Sequence, residues 1–373
     1  MLHVTVRLLK SIQTIRLSAG KPKFVQGSNG YNSLIDRMDQ MPEESVLSEV
    51  LNAYPLACQP TRSTQLGSAG GYSGARFWKL ATNCGEMCLR RWPHPHPDQQ
   101  QLTWIHNVIT HVGNSGFTLL PNPVRTNEGK TFYCFEQHLW ELTPWLPGKA
   151  NFWEQPGLQK LEAALSALAM FHQAAQLHLC QEFSPGVLQR CEQLQGLIGG
   201  EIDELDLCIR RHQGRWPRLA ARGEHLVELV RGVASAALVS LEACRAFRVP
   251  LQPCLRDVWH DHILFMGEDV SGMIDLGAMR MENVAVDIAR LLGSLIADDQ
   301  VSWKNGLEAY QAVRPLAEAE QIMVHAFDRS TVTLAGILWL QWVFVEGRKF
   351  ENQRAIETRL DRIITRLQVL ARN

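Results

Sequence analysis

Hydrophobic positions recur at different periods along the chain and divide it into unlike parts. Val46, Leu47, Val50 and Leu51 return at helical spacing within 42–54, which predicts a short amphipathic helix. Short apolar and aromatic segments follow, and 75–80, 86–90, 117–124 and 131–136 read as strands of one N-terminal sheet. Between them the proline-broken run Trp92-Pro93-His94-Pro95-His96-Pro97 reads as an extended loop. Asp98 then stands where an N-cap belongs, and a helix is expected through Val112. Beyond residue 150 the period is helical, at 158–177, 188–207, 225–245 and across 303–371, apart from a strand-like unit at 250–277. The longest apolar run, 334–345, is too short to span a bilayer and predicts a buried helix.

Glycine and charge add candidate chemistry to this outline. Leu66-Gly67-Ser68-Ala69-Gly70-Gly71-Tyr72-Ser73-Gly74 joins two predicted strands. Backbone N–H groups in such a turn approach phosphate oxygens unobstructed, although a plain hairpin turn has the same composition. The next strand ends in Arg90, with Arg91 on its opposite face. Glu201, Asp203, Glu204 and Asp206 form an acidic run that reads chiefly as a solvated helix face.

The densest chemistry lies at 254–277. Cys254-Leu255-Arg256-Asp257-Val258-Trp259-His260-Asp261-His262-Ile263-Leu264-Phe265 ends an apolar approach in an Arg-Asp pair. Met273-Ile274-Asp275-Leu276-Gly277 then presents a second aspartate. Two carboxylates at one end of a small β-unit suit phosphoryl transfer: one accepts a hydroxyl proton, the other holds a divalent cation. The spacing from Asp257 to position 262 is that of a kinase catalytic loop, and Asp275 stands where the metal-binding D-F-G would be.

This segment resembles the aminoglycoside phosphotransferase, choline kinase and homoserine kinase-like superfamily, whose pattern reads H-G-D-x-x-x-x-N-I-L and then I-D-F-G. Val286-Asp287-Ile288-Ala289-Arg290-Leu291-Leu292 resembles that family's Y-D-L-A-R-L-L helix, and Ala169-Met170-Phe171-His172 its L-A-x-L-H. Weaker likeness extends over roughly residues 60–350. The resemblance implies an α+β, bilobal protein-kinase-like fold, with a small antiparallel-sheet lobe at 41–142 and a larger helical lobe at 143–373. It also implies ATP (or GTP) with Mg²⁺ or Mn²⁺, and transfer to a hydroxyl of a small molecule such as an amino alcohol, aminoglycoside, sugar or amino acid.

On that resemblance Asp257 is the base or orienting carboxylate, and Asp275 and His262 are the metal residues. Gly70, Gly71, Ser73, Gly74 and Arg90 contact phosphates, and Leu142 contributes backbone from an interlobe linker at 139–148. The chain departs from the pattern in three places. Leu255 replaces the family His, His262 replaces the metal-ligating Asn, and no acid occurs between 99 and 112, where a kinase helix normally offers a Glu to the strand cation. His262 either ligates through an imidazole nitrogen, which favours Mn²⁺, or hydrogen-bonds Asp275 or Asp257 and leaves the metal to Asp275, phosphates and water. His172 is expected to be a structural hydrogen-bonding residue.

Composition narrows the alternatives. A net charge of −1 gives no electrostatic case for nucleic acid or an acidic membrane as partner. Nine scattered cysteines without a Cys-x-x-Cys pair fit reduced thiols in the cytoplasm. A nucleotide-binding pseudokinase or scaffold is the competing reading, since it accommodates all three departures. Residues 1–40 are basic before the first acid, Asp36, and read as a disordered leader or an over-extended start. A chain beginning at Met41 should therefore match the full one in melting temperature and in its response to nucleotide; loss of cooperative unfolding on that truncation would refute the reading.

Overall fold

The computed structural model describes residues 43–67, 74–94, 96–176, 180–348, 350 and 353–372. The leader and the loop residues Gly70, Gly71 and Ser73 lie outside them. Two compact units emerge. One comprises the described residues up to Thr110 with Pro121–Leu146, the other His111–Leu120 with the described residues from Pro147 onward.

In the first unit, helix α1 (Glu43–Asn52) precedes strands β1 (Pro60–Gly67), β2 (Arg76–Thr82) and β3 (Gly85–Arg91), then helix α2 (Gln99–Asn114) and strands β4 (Tyr133–Phe135) and β5 (His138–Pro144). The strands form one antiparallel sheet in the order β1-β2-β3-β5-β4. Alternation explains its core. Trp78, Leu80, Met87, Leu89, Trp140 and Leu142 all point to one face, where Val50, Leu51 and Tyr54 cover them. Each such burial contributes about 1.5–3 kcal/mol relative to exposure. The opposite face carries Arg90 and Glu141, cross-strand partners on β3 and β5.

Two strand expectations need correction. Residues 117–124 form no strand, because Pro121 and Pro123 remove the donors a ladder needs; only single bonds remain, such as Val124 N–H to Leu142 O at 2.8 Å. The segment 139–148 is not a free linker in its first half, which belongs to β5. Its residues alternate correctly against β3, and that pairing outweighs the loop-like Pro-Gly at its end.

The second unit begins with helix α3 (Leu158–Ala174), a short strand β6 (Cys180–Phe183), and helices α4 (Pro185–Gly196), α5 (Ile202–Arg211) and α6 (Pro217–Cys244). The single helix expected over 188–207 is broken, since Gly200 takes φ 123°, a conformation open to glycine and costly for other residues. Strands β7 (Arg248–Cys254), β8 (Ile263–Met266), β9 (Asp269–Met273) and β10 (Arg280–Glu282) follow, then helices α7 (Ala285–Ile296), α8 (Gln300–Val313), α9 (Glu318–Leu340) and α10 (Gln353–Leu370). The strand unit is larger than 250–277. β6 and β10 flank β7 in a small sheet, each too short to give a periodic signal.

α3 packs on α8, and α9 on α6, α7 and α10. The acidic run is tied down rather than free: Arg231 reaches Asp203 at 2.7 Å and Asp206 at 3.1 Å. No described helix is long and apolar enough to cross a membrane.

Asp98 accepts the N–H of Gln101 at 2.7 Å, the N-cap bond that starts α2. Asp98→Ala should cost ~1 kcal/mol in urea unfolding; an unchanged midpoint would mean that the helix start is held by something else.

Candidate active site

The geometry follows from a hairpin register. β8 and β9 pair antiparallel with Ile263 opposite Met273, so the residue before β8 and those after β9 share one end. That end carries His262 and Asp275, with His262 Nε2 at 3.7 Å from Asp275 Oδ2. Asp275 sits at φ 57°, a left-handed conformation that Asp tolerates better than most residues. Ile274 N–H to His262 O, 3.0 Å, closes the end of the hairpin.

His262 has both ring nitrogens engaged. Nδ1–H donates to the carbonyl of Asp257 at 2.7 Å, and Nε2 accepts the indole N–H of Trp259 at 2.8 Å. These bonds select the Nδ1–H tautomer and tie position 262 back to 257. For a divalent cation the Asp275 carboxylate is a fitting hard oxygen donor. His262 is a poorer one, because its lone pair already accepts from Trp259.

Asp257 is half exposed and held by Arg290 of α7, with Nη2 to Oδ1 at 3.0 Å. Its turn is fixed from beneath. Asp287, fully buried in α7, accepts the N–H groups of Leu255 and Arg256, both at 2.6 Å. It also accepts from His172 Nε2 at 3.1 Å, while His172 Nδ1 lies 2.7 Å from the Tyr310 hydroxyl. One tautomer satisfies every partner: Nε2 donates to the carboxylate and Nδ1 accepts from Tyr310. Burial, the largest influence, pushes the His172 pKa down against the pull of Asp287. His172 thus has the structural role expected of it.

His172, Cys254 and Asp287 also bring ligand-type atoms within 4.8 Å of one another. Hydrogen bonding argues against a metal there. Burial raises the Cys254 thiol well above its ordinary pKa, it donates to Glu282 O at 3.3 Å, and both Asp287 oxygens are already taken.

The residues expected around phosphates belong to the first unit. Gly74 takes φ 83°, which favours glycine. Arg90 is buried on β3 over the Trp92 ring, and its Nη1 is 4.0 Å from Glu141 Oε1. The other Glu141 oxygen lies 2.7 Å from Nε2 of His106 on α2, whose Nδ1 meets the Thr131 hydroxyl at 2.8 Å. So the helix that lacks an acid supplies a histidine, and β5 supplies the carboxylate. Leu142 is fully buried in the sheet core, and its carbonyl accepts from Val124. The linker-backbone role expected of it does not suit a residue whose backbone is used inside the sheet.

Sequence reasoning missed Asp287, Arg290, Glu141 and His106 as site-building residues. Asp287 had a readable signal, an acid within a mostly apolar helix, which demands a buried partner. Glu141 and His106 had none, since their pairing depends on strand order. Further aromatic and basic side chains crowd the same turn: Arg359 lies 4.3 Å over the Trp259 ring and Arg362 4.0 Å over that of Trp153. Burial, with Arg359 and Arg362 adding to it, pushes His260 down to about 3.

The model of the phosphotransferase enzyme family matches residues 65–322. A homoserine kinase of Acidiphilium cryptum (strain JF-5) is 25% identical over 264 residues, which cover 68% of this chain and 73% of that protein. Among solved structures, an aminoglycoside phosphotransferase from Alicyclobacillus acidocaldarius subsp. acidocaldarius DSM 446 superposes with TM-score 0.57 at 16% identity, covering 89% of this chain and 95% of that one. A spectinomycin phosphotransferase in complex with ADP and spectinomycin gives TM-score 0.60 at 11% identity, covering 89% and 99%. At such identities these two establish the bilobal, protein-kinase-like α+β fold and nothing finer.

Asp287→Ala should destabilise the protein by several kcal/mol, because one buried and one partly buried N–H donor, at ~1–3 kcal/mol each, lose their acceptor together with His172. Denaturant unfolding checks this; a loss below ~1 kcal/mol would mean that water or another group replaces the carboxylate.

Proposed function

Because the chain belongs to the phosphotransferase enzyme family, we propose that it moves the γ-phosphoryl group of ATP, or GTP, onto a hydroxyl of a small molecule at Asp257. It is an enzyme of the kinase class. The observation that carries the finer reading is the juxtaposition of Asp257, His262 and Asp275 at one end of the β8–β9 hairpin.

In this reading the acceptor oxygen attacks the γ-phosphorus, the bond to the ADP oxygen breaks, and the hydroxyl proton passes to Asp257. Arg290 keeps that carboxylate aimed. Asp275 holds the divalent cation, Mg²⁺ or Mn²⁺, which when bound neutralises charge on the phosphates. His262 orients the turn through Asp257 O and Trp259 rather than ligating the metal. Arg90, braced by Glu141, and Gly74 serve the phosphates. The homoserine kinase relative makes a hydroxylated amino acid one acceptor to test, and the spectinomycin phosphotransferase an aminoglycoside another.

Asp257→Asn should cut ADP formation with a working acceptor by ~10²–10⁴-fold while the rise in melting temperature with ATP and Mg²⁺ persists. Transfer at the parental rate would remove Asp257 from the chemistry. His262→Asn should leave the ratio of Mg²⁺- to Mn²⁺-supported nucleotide binding unchanged, since the imidazole lone pair is used by Trp259. A shift of that ratio toward Mg²⁺ would return His262 to the metal.

A further inference from the structure

The imidazole nearest Asp275 is engaged by an indole three residues earlier in the chain. His260–His262 form a single 3₁₀ turn, closed by the N–H of His262 on the Trp259 carbonyl at 2.8 Å. Side chains three apart eclipse in such a turn. The backbone therefore sets the Trp259 indole beside the His262 ring, with ring planes at 76° and Nε1–H donating to Nε2 at 2.8 Å. The other ring nitrogen donates to the Asp257 carbonyl at 2.7 Å, so the imidazole is pinned at both ends.

Trp259 is itself held from outside the turn. Arg359 of α10 lies over its ring at 4.3 Å and Arg290 of α7 at 5.9 Å. The His260 ring meets it nearly edge-on, with centroids 4.6 Å apart. Arg359 also lies 5.3 Å over Trp339 of α9, so one guanidinium bridges two indoles. These contacts fix the direction in which the Trp259 N–H points.

That direction matters because of what lies beyond His262. Its Nε2 is 3.7 Å from Asp275 Oδ2, within the roughly 4 Å that two bonds of about 2.0–2.2 Å to one ion can bridge. The Asp275 side chain is 39% exposed, which leaves the carboxylate accessible to ions from solvent. Released from Trp259, the pair offers one nitrogen and one oxygen, a donor set that favours Mn²⁺ and Co²⁺ over Mg²⁺. Engaged with Trp259, it offers the oxygen alone.

We propose that Trp259 sets the cation preference of the site by masking His262, and that His262 with Asp275 is a latent transition-metal site. The cation's role at Asp275 rests on the phosphotransfer reading given above. Trp259 acts through His262 and is therefore a positioning residue. A histidine at the position of the family's Asn is in this way compatible with a cation held by oxygen.

Trp259→Phe keeps an aromatic ring near Arg359 and removes the N–H donor. It is compared with the full parent chain, His262→Asn and the double variant. One measurement is Co²⁺ binding without nucleotide, followed by visible absorption. The other is the ratio of Mn²⁺- to Mg²⁺-supported ADP binding, read from melting temperatures. Trp259→Phe should bind Co²⁺ ~3- to 10-fold more tightly than the parent, since ligation no longer breaks a neutral hydrogen bond. Its Mn²⁺/Mg²⁺ ratio should rise in the same direction. Both gains should vanish in the double variant, and His262→Asn alone should show neither. Histidines elsewhere contribute equally to all four chains and cancel.

Unchanged Co²⁺ affinity and ratio in Trp259→Phe, or gains that survive in the double variant, overturn the masking alone. Should Trp259→Phe not fold, ¹⁵N-histidine spectra of the parent decide. His262 should be the Nδ1–H tautomer, with Nε2 accepting from the indole, and an Nε2–H tautomer overturns the proposal. A parent that ADP stabilises with neither Mg²⁺ nor Mn²⁺ overturns the phosphotransfer reading instead, because the Co²⁺ comparison needs no nucleotide.

Discussion

A single buried carboxylate fixes the backbone on which the candidate chemistry sits. Asp287 has no solvent to stabilise its charge, so it takes two N–H groups of the turn at Leu255–Arg256 and one imidazole N–H. Three donors converge on two oxygens, and the chain between β7 and β8 can adopt little else. The position of Asp257, the left-handed Arg256 and the tautomer of His172 all follow from satisfying that anion. Because Asp287 and Arg290 are three residues apart on α7, the same helix face holds the turn by its backbone and Asp257 by its side chain.

The second constraint is register. Pairing Ile263 with Met273 places His262 and Asp275 together, and a slip of one residue would turn the hairpin's side chains to opposite faces. His262 then links both ends of the motif, through a bond to Asp257 O and proximity to Asp275. His262, where the family pattern has Asn, therefore lies between the Asp257 backbone and the Asp275 carboxylate, and the nitrogen it could offer a cation already accepts from Trp259. In the first unit an analogous exchange occurs. No acid on α2 can meet Arg90, and Glu141 on the adjacent strand serves instead, held by His106. The electrostatic requirement of a buried guanidinium is met from another element.

Much of this protein was determined by its sequence alone. The helices α1, α2, α3 and α10 and the strand β3 follow from local periodicity and an N-cap, signals carried by neighbouring residues. The Asp257–Asp275 motif is likewise local, since one hairpin contains it. Decisions that depended on distant partners were not legible. Residues 117–124 have strand-like composition, but two prolines deny them a ladder. Leu142 lies in a linker-like segment, but β3 draws it into the sheet. The pairs Arg90–Glu141 and Asp287–His172 join residues far apart in the chain, and only tertiary packing brings such charges into one low-dielectric place. Sequence records which residues are charged, whereas folding decides which charges lose water and must find one another.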